Sequence, residues 1–202
     1  VIIASVVPQI MYPLSSAMIK YFDREPIIVD TDVDAGLRYS PSLEDSKERL
    51  GADRSVTAAA AIAKYGAPLI VIDFGTATTV DAIDAQGQYL GGTIGTGLRL
   101  SMDALIEGTA MLPRVELCMP SKVIGTSTLE QLQAGVVAGY VGNMEYLISR
   151  MKQEMGLEGV KVIATGGLSR LISENTTLVD VVDGCLTLEG LRLIYNRMKG
   201  NA

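Results

Sequence analysis

The stretch PLIVIDFGTATTVDAID, Pro68 to Asp84, decides the architecture. Its first half is a nearly continuous apolar run, the pattern of a strand buried on both faces, as in α/β sheets. Gly75 then turns the chain, and the residues after it alternate as a second strand, so a β-hairpin is one reading of the segment. Working outward, QGQYLGGTIGTG (86–97) predicts a turn and a third strand that closes on glycines. VKVIATGGLS (160–169) predicts a buried strand entering a glycine turn, and LVDVV (178–182) a further strand. Helices are predicted over 98–111, from Leu129 to Met151, and over 187–198. In the long one, Leu129, Leu132, Val136, Tyr140, Met144, Leu147 and Met151 recur near the helical period. Upstream, VIIASVV (1–7) reads as a strand ended by Pro8, 13–22 as a helix and Ile27–Val29 as a short strand. Residues 30–49 read as a long polar loop with a functional role, and 53–65 as an Ala-rich helix stopped by Gly66.

Composition removes several classes of chemistry. The chain has 202 residues, enough to bury about 70% of its unfolded surface. A net charge of −6 argues against general nucleic-acid binding, which needs clustered Lys and Arg. No apolar run approaches a membrane span, so neither nucleic acid nor membrane is an expected partner. There is no histidine, which excludes His-based hydrolase triads, HExxH zinc sites and the HRD loop of protein kinases. Cys118 and Cys185 are the only cysteines and read as reduced, buried thiols of a cytoplasmic protein. Catalysis therefore rests on carboxylates, Arg, Lys, hydroxyls, backbone amides or a hard cation.

Four segments carry candidate chemistry. In DFGTATT, Asp73 ends a buried strand before a glycine turn rich in hydroxyls, a pattern suited to phosphate or cation binding. GADR, Gly51 to Arg54, opens the Ala-rich helix. Asp53 in a first turn is favoured by the helix dipole, and it could equally accept a proton from a substrate hydroxyl while Arg54 neutralises an anion. GGTIGTG, Gly91 to Gly97, is neither a Walker A loop, because Leu98 stands where Lys is required, nor a dinucleotide fingerprint. TGGLS, Thr165 to Ser169, is a strand-to-helix turn on which a base or ribose could lie, or a plain crossover. Gly135, Gly139 and Gly142 share a face of the long helix and point to close approach, either to the sheet of the same chain or to another subunit.

Taken in order, GADR, DFGTATT, GG-x-I-x-x-G, the TAMLP of Thr109 to Pro113, IGTSTLEQLQAG and TGGLS resemble the type III pantothenate kinases. The resemblance implies an α/β, duplicated ribonuclease H-like fold of the actin-like ATPase kind. Residues 1–66 would be what is present of the first half, and 67–202 the second half. The first half is expected to be incomplete, because the D-x-G-N-T turn that opens family members does not occur in the sequence. The implied activity is ATP-dependent phosphorylation of pantothenate to 4′-phosphopantothenate, with Mg²⁺ and a monovalent cation, K⁺ or NH₄⁺, as cofactors. By the same resemblance Asp53 is the proton acceptor, and Gly51, Ala52, Arg54 and Tyr39 contact pantothenate. Asp73 is the monovalent-cation ligand, Thr76 an ATP contact, and Thr128 a substrate contact supplied across a homodimer. A non-catalytic, nucleotide- or pantothenate-binding regulatory member is the alternative.

Overall fold

The computed structural model describes residues 1–5, 7–29, 35–44 and 50–200. The chain forms two compact units. Val1–Gly66, Gly87–Leu90 and Cys185–Ala202 make the first, and Ala67–Gln86 with Gly91–Gly184 the second. The chain passes between the units after Gly66, Gln86, Leu90 and Gly184, so the C-terminal helix groups with the first unit.

In the first unit, β1 (Ile2–Ala4) pairs in parallel with β2 (Ile27–Val29), joined by helix α1 (Pro8–Phe22). Pro8 does not merely end a strand. It sits in the first turn of α1, where its missing N–H costs nothing, so the helix begins five residues earlier than Pro13 suggested. Two short elements lie within the predicted polar loop: β3 (Arg38–Tyr39) and α2 (Pro41–Glu44). Residues 30–34 and 45–49 of that loop lie outside the described residues. The Ala-rich helix is α3 (Ala52–Tyr65), which packs on α8 (Leu186–Met198). Small side chains let the two helices approach closely. A Cβ on Gly190 of α8 would run into the Val56 carbonyl of α3. Val29, Ala35, Ala52, Val56 and Ile194 form the buried cluster between these elements.

The second unit is built on the decisive hairpin. Strand β4 (Leu69–Phe74) pairs antiparallel with β5 (Ala77–Ile83) and parallel with β7 (Lys161–Thr165). A neighbour on each side and covered faces explain its unbroken LIVIDF run. β6 (Gln88–Thr96) starts in the first unit, beside β3, and continues into the second beside β5, while β8 (Val181–Val182) lies outside β7. Helix α4 (Leu98–Glu107) is shorter than the predicted 98–111.

The predicted helix from Leu129 to Met151 is three pieces: α5 (Thr128–Gln133), a π-turn over Ala134–Ala138, and α6 (Gly139–Met155). Apolar residues on and off the predicted period pack inside the second unit, while Leu129 stays exposed. Val137, Val141 and Ile148 join Tyr140 and Met144 in one core with Ile70, Ile72 and Val162. An extra residue in the π-turn rotates the two arms relative to a straight helix, so a sequence with two stripes can face one core. Gly135, Gly139 and Gly142 point the other way. They are exposed, and a Cβ on any of them would meet nothing within 4 Å. Gly135 and Gly139 instead line a hollow that residues of β5 and β6 also line, without touching them. Helix α7 (Ser169–Ser173) follows the TGGLS turn.

Candidate active site

The GADR residues sit at the start of α3. Gly51 is its N-cap in extended conformation and offers no side-chain cap. Asp53, half-buried in the first turn, fills part of that role. Its Oδ1 accepts from the Arg54 backbone N at 2.9 Å, and its carbonyl accepts from Thr57 Oγ1 at 2.8 Å. Thr57 in turn shares a 2.9 Å hydrogen bond with Thr187 of α8, so the turn bearing Asp53 is tied to the neighbouring helix. A carboxylate in a first turn gains from the helix dipole whatever its chemistry. Ala52 is buried in the unit's core, which leaves its backbone rather than its methyl for any ligand.

Arg54 and Tyr39 meet through a residue that the sequence did not single out. Arg54 Nη2 donates to the Tyr89 hydroxyl at 3.0 Å, and the Tyr39 and Tyr89 rings stand edge to face, 5.9 Å apart at 80°. Parallel pairing of β3 with β6 places Tyr39 opposite Tyr89. The only sequence signal for Tyr89 is its place in the alternating QGQYLGG strand, which says which face it takes but not what it touches.

In the second unit Asp73 is the penultimate residue of β4, opposite Thr79 on one side and Thr165 on the other. Gly75 N donates to the Ala77 carbonyl at 3.1 Å, closing the hairpin, and Gly97 N donates to the Thr76 carbonyl at 2.9 Å. Both motifs, DFGTATT and the end of GGTIGTG, are thereby joined. Thr76 lines a hollow of about 410 Å³ with Gly75, Gly167, Leu168, Arg99 and Asp103. Arg99 and Asp103 come from α4 and were not anticipated. They stand one turn apart behind Leu98, the residue whose presence ruled out a Walker A loop.

Thr128 does not line the hollow at Thr76. It lines a hollow of about 320 Å³ with Leu105, Leu112, Gln131 and Leu132, sharing no residue with the hollow at Thr76. Its helix start is well built. Ser127 Oγ accepts from Glu130 N at 3.3 Å, while the Glu130 carboxylate accepts from Thr126 N at 2.6 Å and Thr126 Oγ1 at 2.8 Å. Those bonds hold the Glu130 carboxyl below its ordinary range. A third hollow, about 540 Å³, lies between β6 and α6. In it the Tyr140 hydroxyl donates to Thr78 Oγ1, and burial raises the Tyr140 pKa above its usual value.

The two thiols depart from expectation. Cys118 is half-buried and accepts from Gln133 Nε2 at 2.9 Å, and Cys185 is exposed at the start of α8. Among the described residues no three Asp, Glu, Cys or His side chains cluster as a metal site. A cation at Asp73 would take its other ligands from carbonyls, hydroxyls, water or a bound phosphate, an oxygen set suited to hard ions. Among the described residues no helix is long and apolar enough to cross a membrane.

A half-buried carboxylate beside an arginine in the first unit, and a hollow lined by glycine turns near a strand-end carboxylate in the second, are groups that a phosphotransferase without histidine could use. The model of the type III pantothenate kinase family matches residues 1–150. A type III pantothenate kinase from Agathobacter rectalis is 45% identical over 97% of this chain and 74% of its own length. One from Exiguobacterium sibiricum is 45% identical over 98% of this chain and 77% of its own. The chain belongs to the type III pantothenate kinase family, with its ATP-dependent phosphorylation of pantothenate in coenzyme A biosynthesis. A crystal structure described as a putative Baf family transcriptional activator from Campylobacter jejuni shares the fold. It superposes over all of this chain and 83% of its own at a TM-score of 0.66, with 18% identity.

Proposed function

We propose that Asp53 accepts the proton of the pantothenate primary hydroxyl as its oxygen attacks the γ-phosphorus of ATP and the bond to the departing ADP oxygen breaks. A loose transition state develops little bond to the nucleophile before the old bond is nearly broken, so a weakly basic carboxylate suffices. Most of the acceleration then comes from placement and charge. Arg54 pairs with the pantothenate carboxylate, Tyr39 packs on the substrate, and Gly51 and Ala52 contact it through their backbone. The observation that carries this reading is the Asp53 carboxylate held at 2.9 Å by Arg54 N, beside a guanidinium fixed on Tyr89.

Thr76 and its hollow take ATP in this reading, and Arg99 brings a positive charge to the same wall. Mg²⁺ bound with the nucleotide supplies charge neutralisation of the phosphates. Asp73 holds K⁺ or NH₄⁺ at the end of β4. We place the protein in the cytoplasm, as a homodimer in which Thr128 reaches the partner's pantothenate. The exposed glycine face of the π-turn and α6 supports this, since small residues leave room for a second backbone and nothing in the same unit occupies it. An interface of the obligate kind would bury more than ~2,000 Å².

Phosphorus NMR tests the reaction: 4′-phosphopantothenate should accumulate only when ATP and pantothenate are both present. ATP consumption independent of pantothenate would overturn the reading. Sedimentation tests the assembly, and a stable monomer at micromolar concentration would remove the role of Thr128.

A further inference from the structure

Tyr89 is only 5% exposed, yet its two ends meet two residues assigned above to pantothenate. Its backbone is fixed by the β3–β6 pairing and by Ser40 N, which donates to the Tyr89 carbonyl at 3.0 Å. Its ring meets Tyr39 edge to face, and its hydroxyl accepts from Arg54 Nη2. A buried tyrosine with a partner for its hydroxyl is a rigid object, with two side-chain torsions held by packing. Arginine is the opposite: a long side chain that loses much rotamer entropy when fixed, and whose planar fork must be aimed to meet a carboxylate. Spending one of five N–H donors on Tyr89 sets the plane of the guanidinium before any ligand arrives, which is preorganisation in the ordinary sense.

We propose that Tyr89 is a positioning residue for the acid end of the substrate. It holds Arg54 and Tyr39 in one geometry and thereby sets the KM for pantothenate without entering phosphoryl transfer. The proposal rests on the assignment of Arg54 to the pantothenate carboxylate.

Steady-state kinetics of the full-length enzyme test it. Tyr89→Phe keeps the ring and its contact with Tyr39 and deletes only the hydroxyl. Losing a hydrogen bond to a charged group should raise the pantothenate KM about tenfold. By contrast kcat should stay within about twofold and the KM for ATP should not move. A fall in kcat at unchanged pantothenate KM, or an equal change in the KM for ATP, would overturn the proposal. The double variant with Arg54→Gln supplies the control. If Tyr89 acts through Arg54, adding Tyr89→Phe to Arg54→Gln should raise KM no further. An undiminished tenfold effect in that background would also overturn it. Arg54→Gln alone separates the two layers: if it leaves the pantothenate KM unchanged, the assignment of Arg54 falls and the proposal with it. If Arg54→Gln raises KM and Tyr89→Phe does not, only the positioning role is lost.

Discussion

Gly166 lies directly against Asp73. A Cβ on Gly166 would stand 2.5 Å from Asp73 Oδ1 and 2.7 Å from Phe74 N. The backbone there has φ +89°, a conformation open to glycine and costly for other residues. The TGGLS turn thus borders the DFG carboxylate as well as the Thr76 hollow, which Gly167 lines. Gly166→Ala should destabilise the protein by about 1–3 kcal/mol, since strain and overlap act together. It should also lower activity by displacing Asp73. Urea unfolding beside a kinase assay checks both, and a variant as stable and active as its parent would show that the turn has slack.

Asp53→Asn should abolish phosphorylation with little change in stability. The amide is nearly isosteric and its oxygen can still accept from Arg54 N. What it loses is the capacity to take the hydroxyl proton. Near-normal turnover with an unchanged melting curve would assign the base elsewhere.

Activity should require potassium or ammonium. The family resemblance assigns the monovalent cation to Asp73 at the end of β4, and carboxylate, carbonyl and hydroxyl oxygens suit a hard cation of this kind. Equal rates in sodium-only and potassium buffers would count against this, and so would full activity of Asp73→Ala.

Glu130 makes a pH-dependent anchor for the turn that carries Thr128. Its folded pKa is lowered, first by the Thr126 backbone N–H and then by the Thr126 hydroxyl. A lowered carboxyl pKa contributes stability that is present above the unfolded value, about 4.3, and is lost as pH falls through the lower folded value. The Thr126 amide resonance should therefore titrate below that ordinary value, and Glu130→Gln should abolish the titration. An amide shift that follows the ordinary glutamate range would refute the anchor.

Much of this was legible in the sequence because the signals were local. The LIVIDF run, the Gly75 turn and the alternation after it specify the β4–β5 hairpin without reference to the rest of the chain. The Ala-rich helix and its Gly66 stop are equally self-contained. Other features depend on distant partners. The π-turn at Ala134–Ala138 leaves no compositional mark, and only the folded core brings Val137 and Tyr140 together. Tyr140 read as an apolar seam residue, and its bond to Thr78 comes from a strand 62 positions away. Pro8 reads as a strand end in the sequence but starts α1, since proline suits both places. Among the candidate site residues, motifs single out Asp53, Arg54, Asp73 and Thr76. Tyr89, Arg99 and Asp103 did not, because their place is defined by what packs beside them.

The pairing of α3 with α8 also bears on synthesis. Helix α3, which carries Asp53, leaves the ribosome early, but the helix that covers it is encoded more than a hundred residues later. Between them the entire β4–α7 region is made, with its own core and its own hairpin. Domains generally fold as units as they emerge, so the second unit has all its residues available while Val56 still waits for Gly190. The nascent chain therefore carries an uncovered alanine-rich helix face until α8 is translated. Loss of α8 would expose the helix that bears Asp53 while leaving the β4–β5 hairpin intact.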